Sequence, residues 1–128
     1  MEKEKVHNEK MLTKAEEQVM QTLWKMGEGG LREITEAMPK PQPHSNTVAT
    51  MLKILAEKDF VQITNLGRIN CYSPKISRKE YSNRSITNIG KAYFDGSYSK
   101  MVAALIENKK LNINDLELLL NELKKRKR

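Results

Sequence analysis

The chain has 128 residues and a mass of 14.8 kDa, the size of one ordinary domain or of a small domain with an appendage, which argues against a multidomain enzyme. With 38% apolar, 30% charged and 5% aromatic residues it is neither disordered nor fibrous, and a modest aliphatic core under a heavily charged surface is expected. The net charge of +7 is unevenly spread: residues 1–76 carry eleven Lys and Arg against ten Asp and Glu, residues 77–128 twelve against six, and five of those twelve are the run Lys124, Lys125, Arg126, Lys127 and Arg128.

Residues 1–11 are polar, charged and without apolar period, and are expected to form a flexible N-terminal arm. Helix signals begin at Thr13, whose hydroxyl can cap while Glu16 reaches back, and Val19, Met20, Leu23 and Trp24 then share one face to about Met26. Gly27, Gly29 and Gly30 mark a loop, and Leu31 to Met38 form a short second helix with Leu31, Ile34 and Met38 inward. Pro39, Pro41 and Pro43 make the next turn stiff, because each lacks an amide donor and pushes its predecessor out of the helical basin.

A third helix, capped by Ser45 or Asn46, runs to about Lys58. At 100° per residue Val48, Met51, Leu52 and Leu55 fall on one side, and Asn46, Ala49, Thr50, Lys53 and Glu57 on the other, which is open to a partner. Val61, Ile63, a turn at Leu66 to Arg68, Ile69 and Tyr72 then read as an antiparallel hairpin ended by Pro74, with Gly67 supplying the positive φ of a tight turn. Helix, helix, stiff turn, helix and hairpin within residues 12–76 describe a winged helix-turn-helix.

From Ser77 three helical segments follow, striped by Tyr81, Ile86, Ile89 and Tyr93, by Tyr98, Met101, Val102, Leu105 and Ile106, and by Leu116, Leu119, Leu120 and Leu123. Three short helices bury too little surface alone, since chains below about 60 residues are marginal without staples or partners. Residues 77–128 are therefore expected to be a helical dimerisation domain with a basic tail, closing a homodimer through Ile86, Ile89, Tyr93, Met101, Val102, Leu105, Leu116, Leu119, Leu120 and Leu123. The fold class is mainly α with a small β-hairpin wing.

Three stretches then resemble the penicillinase repressor family of winged-helix transcriptional repressors. They are Leu12-Thr13-Lys14-Ala15-Glu16 continuing to Val19-Met20 and Leu23-Trp24; Asn46-Thr47-Val48-Ala49-Thr50-Met51-Leu52 continuing to Leu55 and Lys58; and Gly67-Arg68 with Tyr72-Ser73-Pro74. Tyr93-Phe94-Asp95-Gly96-Ser97 looks like the family's junction between carboxy-terminal helices. The resemblance implies a dimeric repressor on a palindromic double-stranded DNA operator, and a membrane-bound sensor metalloprotease whose signal leads to repressor cleavage. The chain departs from the family in three places. Ile54 stands where Arg is frequent, and Asp59 where Gly is usual; Ala104-Leu105 align with the Asn-Phe bond cut in the β-lactam-sensing members; and the paired cysteines of the copper-responsive members are missing.

On that reading the third helix enters the major groove, which admits an α-helix. Its amino-terminal residues face base edges in the helix-turn-helix geometry, so His44, Ser45, Asn46, Thr47, Ala49, Thr50 and Lys53 are the expected DNA-binding residues, with Asn65 and Arg68 from the wing. An enzyme is not expected, because Cys71 with His44 or His7 is the only Cys/His pairing and nothing orients it. One cysteine and two histidines give no basis for a disulfide, a structural metal or a cofactor. The longest apolar run, Met101 to Ile106, falls short of the about 20 residues of a bilayer span and the about 7 of a signal-peptide core, so a cytoplasmic protein is expected. The same residues also fit a winged-helix adaptor for protein contact, or a small-molecule-responsive repressor of the MarR type.

Overall fold

A computed structural model describes residues 11–126. Residues 1–10 of the expected arm lie outside the described residues, while Met11 is half-buried and packs against the core. The order is α1 (Lys14–Met26), α2 (Leu31–Ala37), α3 (Ser45–Glu57), β1 (Val61–Leu66), β2 (Ile69–Pro74), α4 (Arg78–Phe94), α5 (Tyr98–Glu107) and α6 (Ile113–Arg126). Two compact units divide after Asn83, inside α4.

The first unit is a winged helix. Helix α1 starts as its sequence dictates: the Thr13 hydroxyl accepts the Glu16 amide at 3.2 Å and the Glu16 carboxylate accepts the Thr13 amide at 3.0 Å, satisfying two donors that the helix start leaves free. Its apolar stripe, Val19, Met20 and Leu23, meets Ile34 of α2 and Val48, Leu52 and Leu55 of α3 in a core from which solvent is excluded. Phe60, Val61, Tyr72 and Ile76 close that core from the wing side.

The wing is a two-stranded antiparallel hairpin in which Ile63 faces Tyr72 and Leu66 faces Ile69, leaving Gly67 and Arg68 as a two-residue turn. Gly67 has φ of 78°, and glycine first in a two-residue loop matches the twist of the strands. Two expectations are corrected here. Leu66 belongs to a strand, not to the turn, and Ile69 and Tyr72 lie on opposite faces, because they are three positions apart and side chains alternate. Tyr72 also exchanges backbone hydrogen bonds with Gly29 at 2.8 and 3.0 Å, so the α1–α2 loop adds a single bridge beside β2.

Tyr81 was placed by its period with the carboxy-terminal stripe; it is instead 5% exposed in the first unit's core. Its ring lies 5.9 Å from that of Trp24 and 5.7 Å, edge-on, from that of Phe60. Its hydroxyl accepts the Leu12 amide at 3.1 Å and donates to Glu17 at 3.2 Å. Trp24 is the core anchor expected, with its indole N–H donating to the Ile76 carbonyl at 2.8 Å.

The second unit contains the rest of α4 with α5 and α6. Gly90 is buried under the Tyr98 ring, where a Cβ would collide with that ring. Ser97 caps α5 by accepting the Lys100 amide, and Asn112 with Asp115 caps α6 reciprocally. Among the described residues of this unit only Gly90 is buried. No helix of the described residues is long and apolar enough to cross a membrane.

Candidate nucleic-acid interface

Helix α3 is held by one flank and open on the other. Val48, Leu52 and Leu55 are fully buried, whereas Ser45, Asn46, Thr47, Thr50 and Lys53 are exposed and Ala49 is half-buried. That division follows from the 3.6-residue period: the core takes every third or fourth position and leaves the rest in solvent.

The start of α3 differs from expectation. His44, not Ser45 or Asn46, is the N-cap, its Nδ1 accepting the Asn46 amide at 3.1 Å. A neutral imidazole that accepts at Nδ1 carries its proton on Nε2, so the exposed ring presents a donor outward. The Asn46 side chain, relieved of capping, has no intramolecular partner among the described residues, and neither has the Lys53 ammonium. Thr50 donates its hydroxyl to the Asn46 carbonyl at 3.0 Å, which leaves its methyl and an oxygen lone pair for contact. The first turn of α3 contains no acidic residue, and its positive dipole end is therefore unmasked for an anion.

The far end of α3 is fixed by charge. Lys58, its C-cap, places its ammonium 2.9 Å from the Glu16 carboxylate. Burial works to raise the Glu16 pKa, but the Thr13 amide and the Lys58 ammonium together outweigh it and leave it lowered from 4.5. The next residue, Asp59, has φ of 71° and pairs with Lys75 at 2.7 Å.

On the wing, Arg68 at the tip has no ion-pair partner among the described residues, while Asn65 donates to Asn70 across the strands at 3.0 Å. The two asparagines occupy each other, so of the expected wing contacts Arg68 is free and Asn65 is engaged. Leu66 and Ile69, which are not among the expected contacts, are 56% and 64% exposed at this tip. Their register supplies the signal, because it puts both on the face away from Tyr72.

The family model for the penicillinase repressor matches residues 12–125. The chain belongs to the penicillinase repressor family. It is 29% identical over 121 residues to a penicillinase repressor of Bacillus licheniformis, covering 91% of this chain and 94% of that protein. The solution structure of the DNA-binding domain of the repressor BlaI superposes with a TM-score of 0.50 at 28% identity, covering 56% of this chain and 88% of that one. Both the family match and the wing described above agree with the winged-helix expectation. Among the described residues no three His, Cys, Asp or Glu side chains gather into a metal set.

Proposed function

We propose that this penicillinase repressor family member is a DNA-binding transcriptional repressor that meets a palindromic operator as a homodimer. The observation that carries the reading is the flank of α3. Asn46 and Lys53 stand exposed and uncommitted, opposite a flank on which Val48, Leu52 and Leu55 are fully buried. An asparagine carboxamide matches the donor and acceptor of an adenine edge, Ala49 and the Thr50 methyl suit a thymine methyl, and a lysine reaches guanine or phosphate. Arg68 extends the contact from the wing, and the Nε2–H of His44 offers a further donor to a phosphate oxygen.

Homodimerisation is supported by the second unit, whose apolar stripes lie in solvent. Ile86, Ile89, Tyr93, Val102, Leu105, Leu119, Leu120 and Leu123 are all exposed, and Met101 and Leu116 only half-buried. Exposed apolar side chains in such number favour an interface. Release by a membrane-bound sensor metalloprotease is supported by family membership. Ala104 and Leu105, the aligned bond, lie inside α5, so cleavage there requires that helix to open.

The test is selection of bound duplexes from random DNA by the full chain, followed by affinity measurement across a salt series. An inverted repeat with half-sites about 34 Å apart or a multiple of that is expected, with affinity falling steeply with salt. A chain that shows no specific retention at about 0.15 M salt is a protein-contact winged helix instead.

A further inference from the structure

Among the clefts on the surface of the first unit, one is set apart by its charge. It has a volume of about 700 Å³ and lies between the second half of α1, the end of β2 and the first turn of α4, a size that suits a small molecule. Trp24, Pro74 and Ile76 line it with apolar surface, while Lys25, Lys75 and Arg78 stand against a single carboxylate, Glu80. Lys75 is already held by Asp59 at 2.7 Å, and Glu80 is drawn back to accept the Ser77 amide at 3.3 Å. Lys25 and Arg78 are exposed and have no ion-pair partner among the described residues. The hollow beside β2 differs, because its Arg32 is paired with Glu36 at 3.2 Å. The hollow between α1 and the end of α2 has Lys25 as its single charge.

We propose that this cleft is a binding site for a small aromatic carboxylate, its ring against Trp24 and Pro74 and its carboxylate held by Arg78 and Lys25. The guanidinium fork matches a carboxylate with two parallel hydrogen bonds. The apolar lining asks for more than an anion: an inorganic ion would leave that surface wet, and a neutral aromatic would leave two cations unanswered. Three positive side chains against one negative disfavour a cationic ligand. Trp24 is half-buried and fixed in advance, since its indole N–H donates to the Ile76 carbonyl at 2.8 Å, and a ring held in place costs little further ordering when another ring packs on it. None of these residues belongs to α3 or to the turn of the wing, so the site is separate from the DNA contact proposed above and its test needs no DNA.

Trp24 is the single tryptophan of the chain, and its emission therefore reports occupancy without a label. Phenylacetate and benzoate titrated into the full chain should each give a saturable change, half complete at about 1 mM or below, as befits ligands of about ten non-hydrogen atoms. Acetate, which lacks the ring, and phenylacetamide, which lacks the charge, should give none at the same concentrations. Arg78→Gln should weaken phenylacetate binding about tenfold or more, and Lys25→Gln should weaken it as well. Lys79→Gln removes a neighbouring charge that does not line the cleft and should leave the affinity at the wild-type value. All three positions are exposed, so far-ultraviolet circular dichroism should match wild type. No saturable response to either aromatic carboxylate would overturn the inference. An equal response to acetate would do the same by reducing the site to an adventitious anion contact, and an equal response to phenylacetamide by removing the role of charge. Equal affinities of Arg78→Gln and Lys79→Gln for phenylacetate would likewise defeat it.

Discussion

Oε1 of Glu16 accepts both the Thr13 amide at 3.0 Å and the Lys58 ammonium at 2.9 Å. One oxygen therefore joins the start of α1 to the end of α3, across 42 residues of sequence. The Glu16 side chain is 8% exposed and that of Lys58 27%, so the pair is sheltered from salt and from competing water more than a surface pair is. Its bearing on the proposed DNA contact is indirect: it fixes the end of α3 opposite the exposed amino-terminal turn.

Glu16→Gln should destabilise the first unit by about 1 to 3 kcal/mol, because it removes the charge and leaves Lys58 partly buried without its counterion. Since the Glu16 pKa is lowered in the folded chain, the wild type's stability from this group is present above the unfolded value of 4.5 and is lost as pH falls through the folded value. Denaturant unfolding at neutral pH and at pH 3 or below checks this: the gap between wild type and Glu16→Gln should shrink at the lower pH. An equal gap at both would show that charge is not what the substitution removes.

Asp59 occupies a left-handed backbone position at φ 71°, a region that favours glycine. Asp tolerates that region better than most residues, and its pair with Lys75 is exposed and worth under about 1 kcal/mol. Asp59→Gly should thus change stability little, the relief of strain offsetting the lost pair and the looser unfolded chain. Asp59→Val, which keeps the strain with a β-branched side chain and loses the pair, should cost about 2 kcal/mol or more. Thermal unfolding of the two variants side by side decides it, and a Val variant as stable as the Gly variant would remove the strain argument.

These two sites show what local sequence does and does not reveal. The α1 cap was legible because Thr13 and Glu16 are three residues apart and act within one turn. The α3 cap was misjudged because Ser45 and Asn46 are favoured cap types, while His44 caps through a ring nitrogen that propensity scales rank low. Tyr81 was assigned to the wrong unit for a different reason. The helix α4 runs unbroken across the division after Asn83, and an apolar side chain on it says that it is covered without saying by what. The wing register was hidden because Ile69 is out of phase with Tyr72, so no single alternation fits the strand. The flank of α3 was readable from period alone; that Asn65 is tied to Asn70 and Asn46 is not was visible only once the strands were paired and the cap was placed.

His44→Ala should weaken DNA binding for two separable reasons, loss of the cap, costing about 1 kcal/mol of stability, and loss of the outward donor. His44→Asn restores a capping acceptor without the reach of the imidazole. Recovery of stability in His44→Asn with affinity still reduced assigns His44 a contact as well as a cap; full recovery of both leaves it a cap alone.

Lys53→Ala should reduce the salt slope of DNA affinity by about one if the ammonium meets a phosphate, and should leave the slope unchanged while relaxing preference at one base pair if it reads guanine. Asn46→Ala carries no charge change, so its effect should appear only as discrimination, costing about 1 to 3 kcal/mol against the preferred base. Binding selections with each variant, repeated at two salt concentrations, measure both quantities. Neither substitution touches the buried flank, so melting temperatures should stay at the wild-type value, and a fall in either would point to a structural role.

The second unit provides the most direct test of assembly. On α6, Leu116, Leu119, Leu120 and Leu123 share one flank, whereas Leu118 projects from the opposite one. Leu119 and Leu118 are exposed to similar degrees, 55% and 66%, so a carboxylate at either position costs the isolated chain almost nothing. The two differ only if a partner covers one flank. Leu119→Glu should then weaken dimerisation about a hundredfold or more, because an unpaired charge is carried into an apolar interface, and Leu118→Glu should leave it near wild type. Sedimentation equilibrium at micromolar concentration reads the difference. Operator affinity should fall with the first variant alone, since two half-sites are held together only while the subunits are. Monomers of the wild-type chain under those conditions, or equal effects of the two variants, would defeat the interface assigned to this flank.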